Sequence, residues 1–100
     1  MPEADPFAQL REVFAGRSAL LLEDDAALSD HVADRLLDAG FARVCCVESG
    51  EEALEAIGRE AFDVLILDRM TRGLDGLETL KRIRAGNSLS YDAPALMLTA

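Results

Sequence analysis

FDVLILDRMTRGLDG, residues 62–76, is the stretch whose reading decides the fold. Val64, Leu65, Ile66 and Leu67 are consecutive apolar residues, too few for a helix and rich in branched side chains, so they predict a strand buried on both faces. Asp68 closes that strand. A carboxylate at the carboxyl end of a buried strand lies where open α/β sheets build their sites, which makes Asp68 the first candidate for chemistry. After a turn, Asp75 is placed to cap a helix whose Leu77, Leu80 and Ile83 should face inward before Gly86 ends it.

Working outward, the same grammar repeats. Ser18–Leu22 is a second apolar run, closed by Glu23, Asp24 and Asp25. Residues 26–39 follow with Leu28, Val32, Leu36 and Ala39 on one helical face, Asp30, Asp34 and Asp38 opposite, and Gly40 as the stop. Phe41 to Val47 predicts a strand, and Ser49-Gly50-Glu51-Glu52 is a capping-box pattern opening a helix through Ala53, Leu54 and Ile57. Beyond the loop at 86–92 and Pro94, Ala95 to Leu98 predicts a fourth strand, ending in Thr99 and Ala100. Strands alternating with helices over short links predict an α/β fold with a parallel sheet and helices on both faces. At the N-terminus, Asp5, Pro6, Phe7, Leu10, Val13 and Phe14 predict an amphipathic helix over 6–15. The expected organisation is therefore a helical extension at 1–16 and one domain at 17–100. With no helix following the fourth strand, the domain is expected to be incomplete. Its open edge should recruit a second copy as a homodimer, a swapped element, or part of the N-terminal helix.

Composition narrows the functional classes. Half of the 100 residues are hydrophobic and 29% are charged, an ordinary globular balance with room for one core. The formal net charge of -9 opposes direct contact with nucleic acid or anionic lipid, because like charges repel before any contact forms. No apolar window is long enough to span a membrane and the N-terminus is acidic, so a cytoplasmic location is expected. Cys45 and Cys46 are adjacent without CxxC spacing or histidine partners and read as small buried hydrophobes. His31 stands alone on the first full helix and reads as a surface residue.

If the strands are parallel, the carboxyl ends of the first and third converge, and Glu23, Asp24 and Asp68 should cluster at one rim with Thr99 beside them. Three carboxylates so placed repel by about 4 kcal/mol per pair at ~4 Å, and a hard divalent cation resolves that repulsion. Mg²⁺ suits best, taking one or two carboxylates while keeping water and a position for a phosphoryl oxygen; the backbone carbonyl of Met70 is a further candidate ligand. In such a setting Asp68 can attack phosphorus to give an acyl phosphate, with the Thr99 hydroxyl placed to hydrogen-bond the new phosphoryl oxygens.

The acidic pair closing the first strand, the lone Asp68, the following DRMTRGLDG and the closing LMLTA together resemble the receiver domain of bacterial two-component response regulators. The resemblance covers residues 17–100, and the interval from Asp24 to Asp68 matches the family's usual spacing. It implies a doubly wound, flavodoxin-like sheet of order 2-1-3-4, here without the family's fifth strand and last helices. It further implies phosphotransfer from a sensor histidine kinase to Asp68, with Thr99 reporting the phosphorylated state. DGLETLKRIR and LMLTA resemble most the members that carry a DNA-binding output domain. Arg72 stands where the family usually has Pro, which should loosen the turn, and Lys81 cannot replace the lysine of the family's fifth strand. Poor phosphorylation is the expectation for these 100 residues, and a degenerate receiver acting as a dimerising module is the main alternative. A haloacid-dehalogenase-like phosphohydrolase ranks lower because Glu23 takes the place of its nucleophile. A flavin mononucleotide module is a further rival, opposed because it needs a hydroxyl- and amide-rich loop after the first strand to cradle phosphate and the acidic loop there repels it.

Overall fold

The computed structural model describes residues 12–71 and 73–98. Its elements alternate strictly: β1 (Ser18–Leu22), α1 (Ala26–Asp38), β2 (Arg43–Val47), α2 (Gly50–Arg59), β3 (Val64–Asp68), α3 (Gly76–Ala85) and β4 (Ala95–Leu98). The four strands form one parallel sheet in the order β2-β1-β3-β4, the flavodoxin-like arrangement. Most of the N-terminal helix predicted over 6–15 lies outside the described residues, of which Glu12–Phe14 are helical.

The two central strands are the core. Ala19 through Leu22 on β1 are fully buried, as are Leu65 and Leu67 on β3. Alternation along each strand divides these side chains between two layers. Leu20, Leu22, Leu65 and Leu67 pack beneath α2 and α3 against Ala53, Ala56, Ile57 and Ile83. Ala19, Leu21 and Ile66 point the other way, with Phe41, toward Val32, Ala33 and Leu36 of α1. Each fully buried leucine contributes about 1.5–3 kcal/mol by leaving water, which makes the continuous apolar runs the main reason for this fold.

The helix starts carry the expected caps. Asp25 accepts a hydrogen bond from the Leu28 N–H at 3.1 Å, Ser49 from Glu52 at 3.2 Å and Asp75 from Glu78 at 2.8 Å. The returning arm of the capping box reaches one residue further back than the motif suggests, because Glu52 accepts from the N–H of Glu48 at 3.0 Å. Gly40, past the end of α1, has a φ of 113°, which favours glycine there.

Three sequence expectations are corrected. Leu28 and Leu77 were expected to face inward, but they are 44% and 42% exposed. On α1 the sheet is met by Val32, Ala33 and Leu36, with the small Ser29 buried at the end nearer the acids. On α3 the inner positions fall to Gly76, Thr79 and Ile83, because a Cβ at Gly76 would overlap the Asp68 carbonyl. The two cysteines do not both behave as buried hydrophobes: Cys45 packs against the core, whereas Cys46 is exposed on the outermost strand. Finally, β2 begins two residues later than Phe41, which instead bridges to Ala15 and stacks its ring on Phe14 with centroids 4.6 Å apart.

Candidate functional site

Parallel register brings the acids together. Leu22 pairs with Leu67, so the residues that follow, Glu23 and Asp68, leave the sheet side by side. Glu23, Asp24 and Asp68 each offer a carboxylate oxygen within 4.8 Å of the others. Glu23 is the anchor of the group, 4% exposed, with its backbone N–H bonded to the Val47 carbonyl at 3.0 Å. Its Oε1 accepts a hydrogen bond from the Asp25 N–H at 3.0 Å. Burial pushes the Glu23 carboxyl above the ordinary carboxylate range; the Asp25 N–H offsets part of this, and the neighbouring Asp68 and Asp24 carboxylates add to the rise.

Asp24 and Asp68 are half-buried, open enough to meet a ligand. Asp68 Oδ1 accepts from the Met70 N–H at 3.1 Å, which holds the Met70 backbone beside the cluster although the residue is 74% exposed. Asp25 serves α1 as its N-cap and is not one of the three clustered acids. Asp68 also pairs with Leu98, and the Arg69 N–H donates to the Leu98 carbonyl at 3.1 Å, so β4 ends level with β3. Thr99 and Arg72 lie outside the described residues. Lys81 is exposed on α3, and among the described residues no Arg or Lys pairs with the three acids. His31 is exposed, as expected.

Two features of the neighbourhood go beyond the sequence reading. A cavity of 150 Å³ adjoins the cluster, lined by Glu23, Ala26, Ser29 and Asp30 from one side and Cys46, Val47 and Glu48 from the other. A larger one, 320 Å³, is lined by residues at the C-terminal ends of α2 and α3, toward the opposite end of the sheet. The loop after Asp68 is also tied down: the Leu74 N–H donates to Glu51 Oε1 at 2.7 Å and the Thr71 hydroxyl donates to the Leu74 carbonyl at 2.9 Å. Glu51 is remote in sequence and looks like a helix-start acid, so only the positive-φ geometry of Gly73, at 69°, hints at a constrained loop.

An all-oxygen set with one buried and two accessible carboxylates, uncompensated by any described cation, fits a hard divalent ion. Sequence comparison decides the family. The response regulator receiver domain matches residues 19–100. The chain belongs to the receiver domain family. Among curated receiver-containing proteins, it is 40% identical over 81 residues to the transcriptional activator protein PfeR of Pseudomonas aeruginosa, covering 81% of this chain and 25% of that protein. The chain thus spans about a quarter of that relative's length. Among solved receivers, the N-terminal domain of a response regulator receiver protein from Methanoculleus marisnigri is 37% identical with a TM-score of 0.77, over 84% of this chain and 67% of that one. The receiver domain of a Pseudomonas aeruginosa sensor histidine kinase, solved with a magnesium ion coordinated in its active-site cleft, is 30% identical with a TM-score of 0.78. That alignment covers 86% of this receiver and 69% of the other. No helix among this receiver's described residues is long and apolar enough to cross a membrane.

Proposed function

We propose that this receiver is a switch of a two-component phosphorelay, accepting a phosphoryl group on Asp68 from the phosphohistidine of a sensor histidine kinase. The observation that carries this reading is the meeting of Glu23, Asp24 and Asp68 within 4.8 Å at the carboxyl ends of two adjacent strands. Glu23, Asp24, Asp68 and the Met70 carbonyl would hold Mg²⁺, which when bound supplies the positive charge that lets an anionic nucleophile meet an anionic phosphoryl group. A carboxylate oxygen of Asp68 forms the new bond to phosphorus as the phosphorus–nitrogen bond of the donor breaks, and the electron pair leaves with the imidazole. Glu23 and Asp24 hold the charge pattern around that oxygen, and the Met70 N–H at 3.1 Å orients the Asp68 carboxylate. In this reading Thr99 senses the phosphoryl oxygens, and the role is regulatory, with no turnover of a separate substrate.

By likeness to PfeR, a transcriptional activator, we assign the receiver to the regulatory part of a DNA-binding response regulator, with no nucleic-acid contact of its own and a cytoplasmic location. The proposal keeps the organisation expected from the sequence, a helical extension over 1–16 and the receiver over 17–100, and the family match over 19–100 supports its receiver part. Self-association through β4, as a homodimer or swapped oligomer, belongs to the same proposal; β4 is the outermost strand on its side among the described residues, with Leu96 57% exposed. The test is incubation with a small acyl-phosphate donor and Mg²⁺, followed by intact mass and peptide mapping. A single phosphoryl adduct on Asp68 that disappears in Asp68→Asn and on chelation supports the assignment. The adduct is expected to be substoichiometric, since Lys81 cannot replace the family's lysine, and an adduct that survives Asp68→Asn or forms equally with chelator present rejects the assignment.

A further inference from the structure

The loop that leaves Asp68 is fixed from outside by a residue of α2. Leu74 has both of its backbone polar groups tied: its N–H donates to Glu51 Oε1 at 2.7 Å and its carbonyl accepts from the Thr71 hydroxyl at 2.9 Å. The Glu51 bond joins chain positions far apart, from the first turn of α2 to the middle of the β3–α3 loop. Two glycines make the approach possible. A Cβ at Gly73 would overlap the Glu51 carboxylate, and a Cβ at Gly50 would overlap the Thr79 hydroxyl and the Leu74 side chain. The loop's far end is closed by Asp75 capping α3, and the Thr79 hydroxyl donates to the Asp75 carbonyl at 2.7 Å. Between these anchors and Asp68 lies Met70, the residue whose carbonyl the proposed metal set uses, and its own N–H donates to Asp68 Oδ1.

We infer that Glu51 is a positioning residue for the Asp68 site, setting the path of the β3–α3 loop and hence where the Met70 carbonyl stands. The inference rests on the metal reading above and adds to it a side chain that touches neither metal nor phosphoryl group. A carboxylate is suited to the task because an ionised acceptor makes a shorter and stronger bond to a backbone N–H than a neutral one. Outer-shell partners of metal ligands act in this way, by removing freedom from the group that ligates.

The test is Mg²⁺ titration of the chain by calorimetry, with the Leu74 amide followed by NMR, in the parent, Glu51→Ala, Glu51→Gln and Thr71→Val proteins. Glu51→Ala is expected to weaken Mg²⁺ binding by about tenfold, the lower end of the loss seen for outer-shell partners. The Leu74 amide should move upfield and exchange faster. Glu51→Gln, which keeps an acceptor oxygen, should recover affinity to within about twofold of the parent, and Thr71→Val should weaken it in the same direction as Glu51→Ala. A purely structural role would lower the melting temperature of Glu51→Ala without changing its Mg²⁺ affinity, and that result overturns the inference while leaving the metal reading intact. A parent protein that takes up no Mg²⁺ overturns the metal reading, and the inference with it.

Discussion

Neutralising Asp24 should make the metal-free protein more stable and less responsive to metal. The Asp24 carboxylate lies within 4.8 Å of both Glu23 and Asp68, and at that separation two unit charges repel by about 3.5 kcal/mol at an effective dielectric near 20. The realised value is smaller. Asp24 is half-exposed and screened, and burial together with its neighbours raises the Glu23 carboxyl above the ordinary carboxylate range. Exposed charge pairs deliver about 0.2–1 kcal/mol and this site is more enclosed, so about 1 kcal/mol is the expected gain for Asp24→Asn. For a domain of this size that corresponds to a melting temperature higher by about 4–8 °C in the presence of chelator. Asp24 accepts no hydrogen bond among the described residues, so little is lost on substitution; the N-cap belongs to Asp25. Thermal melts monitored by circular dichroism, with chelator and with Mg²⁺, measure both effects. The parent should be stabilised by Mg²⁺ and the variant much less. A variant that melts lower than the parent in chelator and keeps the full Mg²⁺ response would refute the reasoning.

Three further outcomes follow from particular contacts. Because the Glu23 carboxyl is raised above its unfolded value of 4.5, it favours the folded state below that pH and loses this contribution as pH rises through the folded value. Glu23→Gln should therefore flatten the fall in metal-free stability on that limb, measured by urea melts across pH 4–7 in chelator. Gly50→Ala, ordinarily favourable in a helix, should instead cost about 1–3 kcal/mol in a denaturant melt, since its methyl would strike Thr79 and Leu74. Ser90 is fully buried and its Oγ accepts from the Phe62 N–H at 2.8 Å, so Ser90→Ala should cost about 1–3 kcal/mol by the same assay, with Mg²⁺ affinity unchanged.

The strands and the acids were legible because their signals are local. Runs such as Ser18–Leu22 and Val64–Leu67 are apolar on both faces, which only a central parallel strand requires, and the acid after each run marks the carboxyl end. Parallel register then places Glu23 beside Asp68 without any long-range information. Helix rotation was harder to read. Leu28 and Leu77 satisfy a helical period, but the inner faces are set by how closely Ser29, Gly76 and Thr79 let the backbone approach, and small residues carry no hydropathy signal. The strand expected from Phe41 starts two residues later because Phe41 instead bridges to Ala15 and stacks on Phe14, a long-range contact that hydropathy along the strand does not show. The bond from Leu74 to Glu51 was hidden for another reason, since a glutamate in the first turn of a helix already has a sufficient local explanation in the helix dipole.

The central claim is that acids from two strand ends share one divalent ion, and the most direct measurement is titration of the isotopically labelled chain with paramagnetic Mn²⁺ in place of Mg²⁺. The amide signals of Glu23, Asp24, Asp68, Arg69 and Met70 should broaden first and together, and Asp68→Asn should abolish the effect at the same metal concentration. Broadening that begins instead along the exposed face of α1, at Asp30 and Asp34, or that is unchanged in Asp68→Asn, would contradict the account.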